Sequence, residues 1–480
     1  MTPIAAPPVA LGTLLPTLIV LGTALLVLLL DLLPPRGSKT HLGLVTLAGV
    51  IGAQLATLAV WGGRGRGFRD MILLDNYALF FHLVITYAAA LAVLMSIDYL
   101  RRAGVDSGEY YALLLFATSG MLLLASANDL IVVFLAIELM SLSLYVLAGL
   151  FKQRRDAGEA SMKYFLLGVF ASAFLLYGIA LLYGAAGSTN FDRVAAAPRS
   201  SFVLIGLGLL LVGFGFKISS VPFHMWAPDV YQGAPTSVTA FIATGSKAAV
   251  FAALIRLVVA GLRTVQADAT PVLWALAALT MTVGNVVAIA QANLKRMLAY
   301  SSVAHVGYML LGVVAGGPAG ASAVLFYLLA YTFTTAGTFG VIALCQRAGE
   351  EAVEVRDYAG LGRRHPLLAL ALSLFLLSLV GIPPLAGFVG KVYLFGAAVR
   401  AGFVWLAVLA VLNSALAAYY YLRVIVYMYM RDAEGASASP MPSFAGALGL
   451  AIALLGIVLL GVVPAPFADL AAAAVAPLLR

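Results

Sequence analysis

Cysteine and charge are what this sequence has least of. One cysteine, Cys345, stands in 480 residues, which excludes a disulfide framework and leaves no thiolate set for an iron–sulfur cluster. Charged residues make up 10% of the chain, against roughly 25% in soluble globular proteins, so no soluble catalytic domain fits inside it. Neither a G-x-G-x-x-G nor a Walker run falls between strand-like and helix-like segments. Redox or nucleotide chemistry, if it concerns this chain, belongs to a partner. What is present is apolar: 63% of residues are hydrophobic and the mean hydropathy is +1.04. Runs of about 20 apolar residues, each able to cross a hydrocarbon core of about 30 Å, recur along nearly the whole sequence. The net charge of +8 is carried mostly by residues flanking those runs, as membrane topology demands. That distribution argues against a nucleic-acid partner.

Continuous apolarity predicts spans near 10–32, 42–62, 77–98, 109–127, 129–150, 161–185, 202–221, 237–262, 271–292, 297–315, 320–345, 367–395, 402–429 and 446–465. The chain is therefore read as an all-α polytopic membrane protein with about fourteen transmembrane helices. The first span lacks a basic leader and outruns a signal peptide's apolar region, so it is read as a retained helix. An even count puts both termini on one side. One set of loops holds Arg36, Lys39, Arg101, Arg102, Lys152, Arg154, Arg155, Lys295, Arg296, Arg347, Arg356, Arg363, Arg364 and Arg431. The opposite set holds only Arg64, Arg66, Arg69, Arg193, Arg199, Arg263, Arg400 and Arg480. The positive-inside rule then puts both termini on the periplasmic side, with the Arg64–Arg69 cluster as the exception.

Lysine and arginine divide the work. Arginines lie almost wholly at loops and span ends, whereas Lys217, Lys247 and Lys391 fall inside predicted spans, as does Glu138. An ionisable residue at a helix centre costs about 2.5 to 3.5 kcal/mol on insertion scales, so several together need a reason. Desolvation can make a lysine give up its proton, which an arginine does not do at any accessible pH. A group that alternates between charged and neutral should be lysine. A permanent Glu138–lysine pair would pin helices together, but one glutamate cannot neutralise three lysines.

Prolines break the helices beside two of these lysines. Lys217 precedes Pro222 and His224, and Lys391 follows Gly381-Ile-Pro383-Pro384. Proline removes backbone donors, and unwound backbone at membrane depth marks transport sites. The broken spans are the seventh and the twelfth. An offset of five reverses orientation and suggests two inverted five-helix repeats. The divisions expected are 1–108 (three N-terminal helices), 109–262 and 263–429 (the two five-helix units) and 430–480 (a loop and the last helix). His305 in the second unit, Lys163 at the start of the sixth span and, less strongly, His224 are further candidates for the relay. Lys163 either assists Glu138 or snorkels to the interface.

The run Trp226-Ala-Pro-Asp229-Val-Tyr231-Gln-Gly233-Ala-Pro235, continuing to Lys247, is specific. With Glu138-Leu-Met-Ser-Leu-Ser-Leu-Tyr145, Asn293-Leu-Lys-Arg-Met-Leu-Ala-Tyr-Ser-Ser302, His305-Val-Gly-Tyr308 and Asp357-Tyr-Ala-Gly-Leu-Gly362, it resembles the antiporter-like membrane subunits of bacterial NADH:quinone oxidoreductase, respiratory complex I. Among these it looks like the N-type subunits: the Asp229–Gly233 run separates it from the L and M types, and Lys391 from the glutamate of M. The resemblance spans essentially the whole chain. It implies a non-redox subunit of a proton-translocating complex in the bacterial inner membrane. Glu138 and Lys217 would act as a pair, Lys247 as the central carrier and Lys391 as the outlet. NADH, FMN, iron–sulfur clusters and quinone would be handled by partner subunits, and no cofactor or metal by this chain. Its partners would be other antiporter-like and small membrane subunits and the lipid bilayer. The rival reading is a subunit of a cation/proton antiporter, which needs the same buried lysines and broken helices.

Overall fold

The computed structural model describes residues 10–33, 39–105, 107–347, 350–433 and 437–479; Arg36 and Arg480 lie outside them. Helices α1 (Leu11–Asp31), α2 (Thr40–Ala59), α3 (Asn76–Arg102), α4 (Gly108–Ser126), α5 (Leu130–Ala148) and α6 (Arg155–Ala186) come first. The seventh span is α7 (Ser201–Ile218), followed after a loop by the short α8 (Trp226–Gly233). Then come α9 (Thr236–Gly261), α10 (Arg263–Ile289), α11 (Leu294–Ala315) and α12 (Gly317–Leu344). The twelfth span is two half-helices, α13 (Pro366–Val380) and α14 (Ala386–Arg400), and α15 (Val404–Met430), α16 (Phe444–Val462) and α17 (Ala465–Leu478) close the chain. Among the described residues thirteen helices are long and apolar enough to span alone, and the α13–α14 pair stands where the fourteenth expected crossing falls. The expected spans are all present. The sixth begins earlier than expected, at Arg155, and α10 runs through Pro271 rather than starting there. The short α17 was not expected at all.

Polar residues set the helix starts. Asp75, Asp129, Ser200, Asn293 and Ser443 each accept a hydrogen bond from a first-turn amide of the helix they precede, satisfying donors that a helix end leaves orphaned. Small strands tie the loops into two ends. At one, β1 (Gly65–Gly67) pairs with β2 (Ile72–Leu74), and bridges join Ile72 to Ala127 and Asp129 to Asn190. At the other, β3 (Cys345–Arg347) pairs with β4 (Glu350–Glu351) and β5 (Ser439–Pro440), and Asn293 bridges to Glu354.

Helix α9 is buried throughout, and α3, α11 and α12 nearly so, while α1, α2, α6, α10, α15 and α16 form the rim. Glycine allows the tightest crossings, since lipid supplies no hydrophobic drive between helices and close packing must do so. A Cβ at Gly284 would sit 2.6 Å from the Ala304 amide, and one at Gly307 would sit 2.4 Å from the Met281 amide, so α10 and α11 meet backbone to backbone. Among the deeply buried ion pairs is one that ties the start of α3 to α9. Arg256 of α9 reaches both Asp75 oxygens at 2.9 Å and covers the Tyr77 ring. Burial pushes the Asp75 carboxyl up, but the Arg256 charge and hydrogen bonds outweigh it and hold it below its ordinary range. Breaking such a buried pair costs about 3–5 kcal/mol, so it locks α3 to α9.

Candidate functional site

Lys217, Lys247 and Lys391 each sit where regular helical bonding has been interrupted. Lys217 lies in the last turn of α7, two residues before Ser219, whose φ of +65° turns the chain out of the helix. Its Nζ donates to Ser141 Oγ at 2.8 Å and to the Tyr145 hydroxyl at 3.1 Å, both on α5. Glu138, one turn before Ser141, is half-buried and accepts from Ser172 Oγ of α6 at 2.5 Å. Among the described residues no ion pair within 4.0 Å joins Glu138 to Lys217. The carboxylate is thus a turn away from the ammonium.

Lys247 follows a π-helical turn, Ile242–Ser246, an irregularity often found at functional sites. Its Nζ donates to the Ser302 carbonyl at 3.0 Å and to Ser302 Oγ at 2.5 Å. Lys391 folds back from α14 across the break. It donates to the Leu379 and Val380 carbonyls at 2.9 and 2.8 Å and to Ser414 Oγ at 2.7 Å. Those carbonyls belong to the last turn of α13, where a helix lacks acceptors' partners and its dipole is negative. Gly381, at φ +91°, makes the turn. The proline break therefore creates the site that holds the lysine.

Between Lys247 and Lys391 runs a buried polar line along α11 and α12. Ser302 Oγ meets the Tyr331 hydroxyl at 2.7 Å, and the Tyr331 ring lies 5.3 Å from His305. His305 contacts the Tyr327 hydroxyl at 2.5 Å through Nδ1 and the Tyr421 hydroxyl at 3.1 Å through Nε2. Its ring is 5.6 Å from that of Tyr308, and the Lys391 ammonium lies 5.0 Å over the Tyr308 ring. Hydroxyls and imidazole both donate and accept, so the hydrogen-bonded stretches of this line can hand protons on, while Tyr331 to His305 and Tyr308 to Lys391 are ring contacts without a hydrogen bond. Between Lys217 and Lys247 the filling is aromatic instead. Tyr145, Tyr164, Trp226 and Tyr231 follow one another with centroid spacings of 4.7, 4.4 and 6.3 Å.

Lys247, His305 and Lys391 are brought together, with Lys217 and Glu138 beyond the aromatic stack. Lys163 lies elsewhere: it pairs with Asp229 at 2.7 Å and Glu159 at 2.6 Å, two and a half turns from Ser172, the α6 residue that Glu138 holds. His224 is half-buried in the break after α7, its ring 6.4 Å from Tyr300. Sequence reasoning passed over Ser141, Ser302, Tyr331 and Ser414, because single hydroxyls on apolar helices are commonplace. One signal was available: Ser301, Ser302, His305 and Tyr308 recur at helical spacing on an otherwise apolar span. Among the described residues no group of three or more His, Cys, Asp or Glu could hold a metal ion.

Residues 127–417 match the family described as "NADH:quinone oxidoreductase/Mrp antiporter, TM". The chain is 49% identical over 462 residues to a Trichlorobacter lovleyi protein named NADH-quinone oxidoreductase subunit N, covering 95% of this chain and 94% of that one. A chain of respiratory complex I from Thermus thermophilus with bound aureothin superposes with a TM-score of 0.82 at 39% identity, over 95% and 99% of the two chains. A chain of the Mrp complex from Dietzia shares the fold, with a TM-score of 0.85 at 23% identity over 98% of each.

Proposed function

The chain belongs to the NADH:quinone oxidoreductase/Mrp antiporter transmembrane family, and from that membership we propose that it carries protons through its buried lysines as a membrane subunit of respiratory complex I. Full-length identity to NADH-quinone oxidoreductase subunit N favours complex I over a free-standing antiporter, for which the likeness is one of fold. FMN, iron–sulfur clusters, NADH and quinone are then the business of other subunits. Both termini face the periplasm, and spans four to eight and nine to thirteen form the two inverted units.

One observation carries the relay reading. Among the described residues Lys217, Lys247 and Lys391 are buried with no carboxylate within ion-pair distance. A permanently charged ammonium in that setting is costly, whereas one that discharges and reloads meets the cost only part of the time. Lys247 is the central carrier, His305 and the surrounding hydroxyls pass the proton to Lys391, and Lys391 releases it outward. Glu138, on the same side of the aromatic stack as Lys217, biases that lysine's charge.

The assignment to complex I is tested by deletion. Membranes lacking this chain should lose quinone-linked NADH oxidation while still reducing artificial acceptors at the flavin. Normal quinone-linked rates without it would exclude the assignment.

A further inference from the structure

A second polar cluster lies at the end of the molecule where β3, β4 and β5 meet, outside the line just described. Glu351 of β4 is its centre. Oε1 accepts from the Tyr99 hydroxyl at the end of α3 and, at 2.9 Å, from Thr236 Oγ1, the first residue of α9. Oε2 is 3.6 Å from Lys295 Nζ and 3.7 Å from Arg154 Nη1. The Lys295 side chain is 0% exposed, and its ammonium donates to the Ala234 carbonyl at 2.7 Å.

Two features set this cluster apart from a structural clasp. Oε2 is buried with no hydrogen-bond partner among the described residues, its two cations standing beyond hydrogen-bond distance at 3.6 and 3.7 Å, whereas a tight clasp would close those contacts. The carboxylate also forms the floor of a cavity of about 460 Å³ walled by Arg102, Lys152, Gln153, Gln346 and Glu350, with room for about fifteen waters.

The cluster also stands at the head of two helices that lead to Lys247. Thr236 opens α9, which carries Lys247. Lys295 lies on α11 two turns before Ser302, so both point from one face, about 10 Å apart along the axis. Ser302 is the residue that holds Lys247.

We propose that Glu351 and Lys295 are the loading port of the relay, taking protons from the cytoplasmic side through this cavity and delivering them toward Ser302 and Lys247. The port rests on the relay reading given above and extends it to a named entrance. Lys295 gives its proton inward and becomes a neutral amine. Glu351, which lines the cavity, then passes it a proton taken up from cavity water, and the hydroxide left is neutralised by the bulk phase. Burial pushes the Glu351 carboxyl up, but Lys295, Tyr99, Thr236 and Arg154 outweigh it, so at rest it is an anion able to attract a proton. The charged and titratable groups facing it are Tyr99 from α3, Lys295 from α11 and Arg154 from the linker before α6. Asp156, Arg102, Lys152 and Glu350 lie farther out.

The test uses the intact complex. Glu351→Gln should assemble, reduce artificial acceptors normally, and lose quinone-linked turnover by at least about tenfold at pH 8. The deficit should shrink at pH 6, where bulk protons are more abundant, and Glu351→Asp should keep most of the rate. An unchanged rate, or a deficit equal at both pH values, would overturn the port. Should Glu351→Gln not assemble, Ala103→Cys at the cavity mouth decides. Blocking it with a bulky impermeant maleimide should slow turnover with the same pH dependence, and full turnover after labelling would overturn the port. Lys247→Met separates the two readings: if it is inactive while Glu351→Gln is normal, only the port fails, and if it turns over normally the relay itself fails.

Discussion

Lys217, Lys247 and Lys391 hold hydroxyls and backbone carbonyls rather than carboxylates, and that choice of partner fixes what each can do. A hydroxyl accepts from an ammonium and donates to an amine, so the same contacts serve both protonation states. Glu138 differs, being bound by Ser172 and a turn short of Lys217. Its influence is through space, which leads to a prediction. Glu138→Gln should lower NADH-driven proton pumping in proteoliposomes by roughly tenfold, and pairing it with Lys217→Met should lower it further. A static ion pair predicts recovery in the double variant, so restored pumping there would count against the switching role. At this scale the lysines and Glu138 were legible in the sequence because charges inside apolar spans stand out. Their hydroxyl partners were not, and neither were Glu351 and the Asp75–Arg256 pair, whose members are distant in the chain and meet only through packing.

Breaks in helices turn those residues into sites. Pro222 and the Pro383-Pro384 pair announced two of them, because a missing amide is visible in a sequence. What they could not announce is how the freed groups are used: at the second break the last carbonyls of α13 become ligands for Lys391. The π turn before Lys247 carried no such mark, since no proline stands in Ile242–Ser246. Position along the twelfth span also makes a prediction. Arg400 ends α14, and Lys391 lies between the break and that end, which is the periplasmic one in the proposed orientation. Lys391→Cys should react with a small impermeant thiol reagent added from the periplasm faster than Lys247→Cys does. The native Cys345 is fully buried, and burial pushes its thiol up to about 12; it is replaced first so that only the introduced thiols are read. Labelling from the cytoplasmic face alone would reverse both the outlet and the topology.

For the molecule as a whole, the proposed path runs through the polar groups from one end inward and outward again. In the proposed orientation its port lies among the cytoplasmic loops, its proposed carriers in the buried α9 and α11, and its proposed outlet at the second break. The number of crossings could be read from hydropathy alone, because each crossing must be long and apolar. The convergence of α9, α11, α12 and α14 on one line could not, because it depends on which helices the glycines bring together. Lys247 is where the proposed path must carry a proton rather than a fixed charge. Proton pumping by the assembled complex with Lys247→Arg, reconstituted in proteoliposomes and driven by NADH, measures this. Arginine keeps the charge but does not release its proton, so pumping should fall by at least about tenfold with reduction of artificial acceptors unchanged, whereas normal pumping by that variant would contradict the relay.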